Sequence, residues 1–252
     1  MRHSKYISFL FIFILSSVSM KAQTPLWSSI SKDEMAKIFE KMSNSLKNTQ
    51  SYSMVVTHSS YENYKTNTPF EQSKGYFKKD KNNYHSFLLG IHTIQNTKYK
   101  MSVDTSAKVI MVAKNENNSI FDTYQLQDYK DLIDVCSSIK TMDIGTDKQY
   151  RLEFKDGYSL SSQEFTVSPD GILKQITLYY AKAVQLDPED KNSAKVKPRL
   201  SISFSEYKKN AAFNYKNEFD ESAYFYKSGE KLMLTEKYKH YELSDQRLPT
   251  NQ

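Results

Sequence analysis

Histidines are the first side chains to consider, because imidazole serves both as a metal ligand and as a general acid or base near neutral pH. His58 and His85 fall in segments with strand-like alternation and could approach each other, and His92 and His240 follow later in the chain. A zinc site needs three or four ligands at short bond distances. We therefore interpret the histidines as solvent-facing strand residues and predict neither a metal nor a cofactor.

Catalytic motifs are also missing from the sequence, which has no Gly-x-Ser-x-Gly elbow, no P-loop and no Gly-rich dinucleotide turn. Asp128, Asp131 and Asp134 recur at helical spacing, but an acid–base pair needs carboxyl groups whose environments separate their pKa values. We interpret Asp131 and Asp134 as the wet face of a helix. The only cysteine, Cys136, lies among apolar residues at helical spacing and is interpreted as a buried structural thiol. No catalytic residue is predicted.

The remaining candidates for a site are aromatic and apolar residues. Tyr and Phe are frequent, with 19 and 14 among 252 residues, and aromatic side chains suit strands. Ten of the apolar positions could line one concave face of a sheet, although a filled core is the competing interpretation, because apolar strand faces are usually buried. The predicted ligand-binding residues are Tyr52, Met54, Val56, Phe77, Phe87, Leu89, Met101, Val103, Ile110 and Val112.

Two helices and about ten strands would position these side chains. Ser31 and Glu34 form a capping box at the start of the first helix, and the apolar residues between 35 and 46 form one stripe. A second helical pattern covers about 123–138. Short connections between the strands favour antiparallel pairing, and the two helices are available to cover one face of the sheet. The predicted fold class is therefore α+β, mostly antiparallel β.

The first residues have the order of a secretory signal peptide. Arg2 and Lys5 precede an apolar run over 7–18, which is shorter than the roughly 20 residues that a spanning helix needs. Small and polar residues then lead to Ala22 and Gln23, between which we predict cleavage. A cut after Ser19 and an uncleaved membrane anchor are the alternatives.

The chain is thus divided into a signal peptide over 1–22 and a single exported domain over 23–252 without a stable membrane span. Its predicted location is the periplasm, or the outside of the cell, of a Gram-negative bacterium. The formal net charge of +6 falls by three when Arg2, Lys5 and Lys21 leave with the leader. Charges of both signs alternate along the chain, so no nucleic-acid partner is predicted. The largest basic excess, 78–81, is predicted to be a hairpin tip.

Several segments resemble the periplasmic lipoprotein-carrier family, also described as LolA-like or outer-membrane lipoprotein-sorting proteins. An exported N-terminal helix precedes a strand that begins over 52–57, followed by the Gly-containing run Lys74-Gly75-Tyr76-Phe77-Lys78. The segment 168–178 is similar to the late hairpin of that family. The resemblance covers about 30–207. It implies an incomplete (half) β-barrel, closed by the N-terminal and midway helices around a hydrophobic cavity for acyl chains. The C-terminal extension beyond Tyr207 is larger than the family requires.

Three functional hypotheses follow. The first is an exported, non-enzymatic carrier or chaperone that binds a lipid, a lipoprotein acyl chain or another hydrophobic ligand by apolar burial. The second is a structural or interaction subunit of a cell-envelope assembly, which would bind a protein partner through a sheet edge or an aromatic surface. A hydrolase ranks third, because no nucleophile and base are placed together.

Overall fold

A computed structural model describes residues 26–115, 126–185 and 192–247, with the side chains of 126–128 left out. The predicted signal peptide and its cleavage point between Ala22 and Gln23 lie outside these residues. The helices are α1 (Lys32–Lys47), α2 (Leu126–Asp134) and α3 (Tyr215–Glu218), with short 3₁₀ turns at Glu221–Ala223 and Glu236–Tyr238.

Strands make up most of the described chain. They are β1 (Ser28–Ser29), β2 (Ser51–Tyr61), β3 (Glu71–Asp80), β4 (Asn83–Leu88), β5 (Ile91–Gln95), β6 (Tyr99–Asp104), β7 (Val109–Lys114), β8 (Cys136–Ile144), β9 (Asp147–Phe154), β10 (Leu160–Val167), β11 (Leu173–Tyr180), β12 (Val184–Gln185), β13 (Lys195–Val196), β14 (Arg199–Lys209), β15 (Phe225–Ser228), β16 (Lys231–Leu234) and β17 (Glu242–Asp245).

One 13-stranded sheet has the order β1-β8-β9-β10-β11-β14-β2-β3-β4-β5-β6-β7-β17. Between its edge strands β1 and β17 it consists of two meanders, β2 to β7 and β8 to β11 with β14, which join where β14 pairs with β2. The pairs β12-β13 and β15-β16 form two small separate sheets. In the large sheet, the pairs are antiparallel except for β7 with β17. Among the described residues no ladder links β1 to β17, so the sheet stays open. The predicted α+β class, with a mostly antiparallel, incomplete barrel, is confirmed.

Helix α1 begins at the predicted capping box. The Ser31 backbone N–H donates to Glu34 Oε2 at 2.8 Å, and the Glu34 N–H donates to Ser31 Oγ at 3.2 Å. Phe39 of α1 is fully buried and stacks on Tyr129 of α2 at 4.3 Å between ring centroids. The two helices cover one face of β8 to β11, and the core beneath them contains Met35, Phe39, Met42, Ile133, Cys136, Ile139, Tyr150, Leu152, Phe154, Phe165 and Val167.

The second helix is shorter than predicted. It ends at Asp134, and Cys136 and Ile139 belong to β8, where they pair with Phe154 and Leu152. The register shifts between Cys136 and Ser138, and such a bulge puts two residues three positions apart on the same face of a strand. The apolar spacing that indicated a longer helix is therefore produced by a bulged strand.

Lys79 also differs from its predicted place in an exposed hairpin tip. Only 9% of the residue is exposed, because the C-terminal end of α1 lies on this part of β3. Its Nζ donates to the carbonyls of Leu46, Lys47 and Thr49 at 3.2, 3.1 and 2.9 Å. Helix ends leave carbonyls without intrahelical partners, so this ammonium group caps α1 from a neighbouring strand.

Candidate functional site

The ten predicted ligand-binding residues divide between the two faces of the sheet. Directly paired residues of an antiparallel ladder share a face. Phe165 contacts α1, and we call its face of the sheet the helix-side face. Successive pairs place Ile176, Ile202 and His58 on the same face. Because alternate residues of a strand share a face, Tyr52, Met54, Val56 and, through its pair with Met54, Phe77 lie on the helix-side face.

The opposite face of the sheet carries five of the six remaining predicted ligand-binding residues. Phe87 pairs with Tyr76, and further pairs continue through His92 and Val103 to Ile110. These positions alternate with the helix-side ones, so Phe87, Met101, Val103, Ile110 and Val112 lie on the opposite face. Leu89 follows the end of β4, has a positive φ of 51° and is 63% exposed. The ten residues therefore do not line one common surface.

The C-terminal segment, residues 210–247, covers the opposite face of β5 to β7. Val103, Ile110 and Val112 are fully buried beneath it, and Phe225 meets Tyr99 edge to face at 5.3 Å. The predicted C-terminal extension thus packs on the sheet and completes a second core. This core contains Ile94, Tyr99, Met101, Val103, Ile110, Val112, Phe225, Leu232 and Tyr238.

An apolar groove of about 330 Å³ opens on the helix-side face, between β2, β11 and β14. Tyr52 and Val56 are buried behind Met54, and Phe77, Leu88 and Ile202 pack against them with part of their surface exposed. Its volume lies at the lower end of the range of about 300–1,000 Å³ found for small-molecule pockets. The groove is lined by Met54, Ile172, Leu173, Lys174, Phe204, Ser205, Glu206 and Tyr207.

A β-bulge in β14 shapes one wall of the groove. Phe204 pairs with Val56, the register shifts after Ser205, and Lys209 pairs with Tyr52. Phe204 and Lys209 are an odd number of residues apart, so a regular strand would put them on opposite faces. Glu206 takes up the irregularity with a φ of 52°. The bulge therefore brings Lys209 to the helix-side face along with Phe204.

Helix α1 holds the second wall in place. The turn between β10 and β11 is fastened to it by Lys41 Nζ, which donates to the Pro169 carbonyl at 2.7 Å, and by Ser45 Oγ, which donates to the Asp170 carbonyl at 2.7 Å. Gly171 has a φ of 81°, and a Cβ there would lie 2.7 Å from Ser45 Oγ. Ile172 and Leu173, which follow this turn, line the groove.

The histidine prediction needs correction for His85, which is only 5% exposed. The C-terminal segment covers its face of the sheet, which sequence reasoning had left open to solvent. His85 Nε2 lies 3.1 Å from Tyr76 Oη and 3.2 Å from His92 Nδ1, and its Nδ1 lies 3.7 Å from Glu218 Oε2. Burial, the neighbouring His92 and Lys78 lower the pKa of His85 to about 4.

The residues considered as metal ligands or catalytic groups are too few in one place, buried or exposed on a helix. Within the described ranges, no three His, Cys, Asp or Glu side chains are grouped closely enough to hold a metal ion. Cys136 is buried, which raises the pKa of its thiol to about 11, and Sγ donates to the Leu132 carbonyl at 3.2 Å. Asp131 and Asp134 are exposed, as a wet helix face requires, and the Asp128 side chain lies outside the described residues.

Comparison with known proteins gives likenesses of overall fold. No family model and no curated protein matches the sequence. A conserved uncharacterized protein from Thermus thermophilus has a TM-score of 0.42 at 5% identity, over 84% of this chain and 99% of that one. The Mycobacterium tuberculosis lipoprotein LppX has a TM-score of 0.35 at 8% identity, over 73% and 99%.

A LolA superfamily protein from Nitrosomonas europaea has a TM-score of 0.28 at 9% identity, covering 74% of this chain and 97% of that one. The likeness to the LolA-like family that the sequence predicts thus recurs among solved structures, at the level of fold. In the part of the chain that the structure describes, no helix has the length and apolar character to cross a bilayer.

Proposed function

We propose that this protein is an exported, non-enzymatic carrier or chaperone that binds a hydrophobic ligand such as an acyl chain. The observation that carries the proposal is the apolar groove on the helix-side face. Five of its eight lining residues are apolar or aromatic, Lys174, Ser205 and Glu206 are the others, and the opening leaves part of Phe204 and Tyr207 accessible. Removing apolar surface from water on both partners would supply the affinity. The periplasm, reached through the predicted signal peptide, is the proposed location.

The way in which the groove is built supports a ligand site rather than a packing defect. Its walls come from distant parts of the chain, namely β2, the turn that Lys41 and Ser45 fasten to α1, and the bulged end of β14. Fixed walls reduce the ordering cost of binding. None of the residues that line the groove belongs to the buried cluster beneath α1 and α2, so a ligand in the groove need not displace that core.

Ligand uptake by groove variants tests the proposal. Phe204→Asp places a carboxylate in the groove wall, and burying that charge under a ligand is costly. We expect affinity for a neutral fluorescent acyl probe to fall at least about tenfold. Ile172→Trp narrows the groove without adding charge and should also weaken uptake. Native mass spectrometry of the mature protein from its host should show a bound lipid that these variants lose.

Phe70→Asp provides the matched control, since Phe70 is 61% exposed and lies beside Ser60, at the other end of β2 from Met54. It should bind the probe like the wild type. Thermal unfolding of each variant separates lost binding from lost folding. If folded Phe204→Asp and Ile172→Trp both retain wild-type affinity, or if the wild type takes up no probe, the carrier function is contradicted and the interaction-subunit hypothesis gains.

A further inference from the structure

A shallow, polar cleft runs along the C-terminal half of α1 and reaches Lys209 of β14. Its volume is about 500 Å³, and three lysines and one carboxylate are the charged groups that line it. We call it the lysine cleft. It is lined by Lys37, Glu40, Lys41, Asn44, Ser45, Asn48, Thr49 and Lys209.

The cleft and the groove have no lining residue in common, but neighbouring parts of the same two regions contribute to both. On β14, Tyr207 lines the groove and Lys209 lines the cleft, and residues two apart on a strand are separated by about 7 Å. On the other side, Lys41 and Ser45 line the cleft and hold the turn that leads into Ile172 of the groove. A single elongated molecule could therefore occupy both.

Lysines outnumber carboxylates three to one among the residues that line the lysine cleft, while Glu34 interacts with Lys37 and Glu206 lines the neighbouring groove. Within the described ranges no ion pair is found for Lys209 or Lys41, and the hydrogen bond from Lys41 to a neutral carbonyl leaves its charge in place. Glu40 supplies the only negative charge among the lining residues. The exposed carbonyls at the end of α1 would repel an anion, but Lys79 Nζ already donates to three backbone carbonyls there.

Tyr207 adds an unsatisfied group at the junction. Its hydroxyl is buried, and no hydrogen-bond partner is found for it among the described residues. Buried hydroxyl groups are usually paired, but this oxygen is closed off from the groove, so Tyr207 offers a ligand the exposed part of its ring.

We propose that the groove and the lysine cleft together bind an anionic amphiphile, with its single apolar chain in the groove and its carboxylate or phosphate head among Lys41, Lys209 and Lys37. This inference rests on the carrier function proposed above and names its class of ligand. The chain supplies affinity by apolar burial, and the lysines select the negative head by charge complementarity.

Matched ligands of equal chain length test the selection. The measurement is calorimetry at about pH 8, where a fatty acid is ionised, with each ligand below its aggregation concentration. Dodecanoate should bind about tenfold more tightly than 1-dodecanol or dodecyltrimethylammonium. The advantage of dodecanoate should shrink towards unity in roughly 0.5 M NaCl, since salt screens exposed charges. Inorganic phosphate alone should not bind measurably. Phosphate that binds as well as the amphiphile would indicate a site for free anions and overturn the proposal.

Lys209→Glu should weaken dodecanoate about fivefold to tenfold and leave dodecanol unchanged. Lys208→Glu is the matched control, because Lys208 pairs with Ser53 and lies on the opposite face of the same strand; both ligands should bind it as they bind the wild type. Equal affinities for dodecanoate and dodecanol in the wild type would overturn the role of the lysine cleft and leave the carrier function standing. Failure of both ligands to bind would contradict the carrier function itself.

Discussion

The His85–His92 pair is a buried basic site held neutral by its surroundings. Burial is the largest cause of the lowered pKa of His85, followed by His92 and Lys78, while Glu218 acts in the opposite direction. Burial and Lys237 lower the pKa of His92 as well. A proton on His85 would face a second imidazole at 3.2 Å, beneath a segment anchored by the 2.7 Å pair of Lys78 with Glu218.

We expect this pair to make the protein sensitive to mild acid. His85 has a pKa of about 4 in the folded state, against about 6.5 in an unfolded chain. Between these values the unfolded state binds more protons, so stability falls as the pH decreases from about 6.5 to about 4. Urea unfolding should show that His85→Gln removes roughly 2–3 kcal/mol of this loss. His240→Gln, at an exposed position, should keep the wild-type profile, and an unchanged profile in His85→Gln would refute the assignment.

At the scale of elements, Lys79 joins the end of α1 to β3. Burial lowers the pKa of its ammonium group, yet three carbonyls accept from it. We expect Lys79→Met to lower the free energy of unfolding by about 2 kcal/mol, because three carbonyl groups lose a charged donor. Lys74→Met, at an exposed position of the same strand, should change it by less than about 0.5 kcal/mol. Equal effects in urea unfolding would show that the cap contributes nothing.

Elements with local signals were predictable from the sequence, and elements set by distant contacts were not. The capping box of Ser31 and Glu34 depends on residues within one turn, and it is found where expected. The bulges at Cys136 and after Ser205 depend on the partner strand. In the sequence they appear only as apolar residues that depart from the period of two expected for a strand. Lys79 was misplaced for a similar reason, since nothing near it in sequence indicates that a helix end lies above it.

At the scale of the molecule, the sheet is covered on different faces at its two ends. Helices α1 and α2 cover one face of β8 to β11, and the C-terminal segment covers the other face of β5 to β7. We expect Phe225→Ala to lower the free energy of unfolding by about 3–5 kcal/mol, because Phe225 is 2% exposed in this second core. Tyr226→Ala, at a position 54% exposed, should cost less than about 1 kcal/mol in the same urea titration. Similar costs for both would mean that the segment is only loosely attached.

The two-sided cover also explains how far the site could be predicted. Alternation identified Met54 and Met101 equally well as inward-facing, since each shows the same period of two. Which face is inward depends on the strand register across β3 to β6, and no residue signals this in isolation. The groove was therefore predictable as an apolar strand surface containing Met54 and Phe204, whereas Leu173 enters it after a turn and Tyr207 after a bulge.

The pairing of β2 with β14 has a consequence for the order of folding. Contacts between residues far apart in sequence are slow to form, because the entropic cost of closing a long loop comes before any stabilising contact is made. The groove lies at this seam, with Met54 on one strand and Phe204 on the other. A chain synthesised from its N-terminus would complete most of its hairpins before this groove existed, so the ligand proposed above would bind only fully synthesised, fully folded molecules.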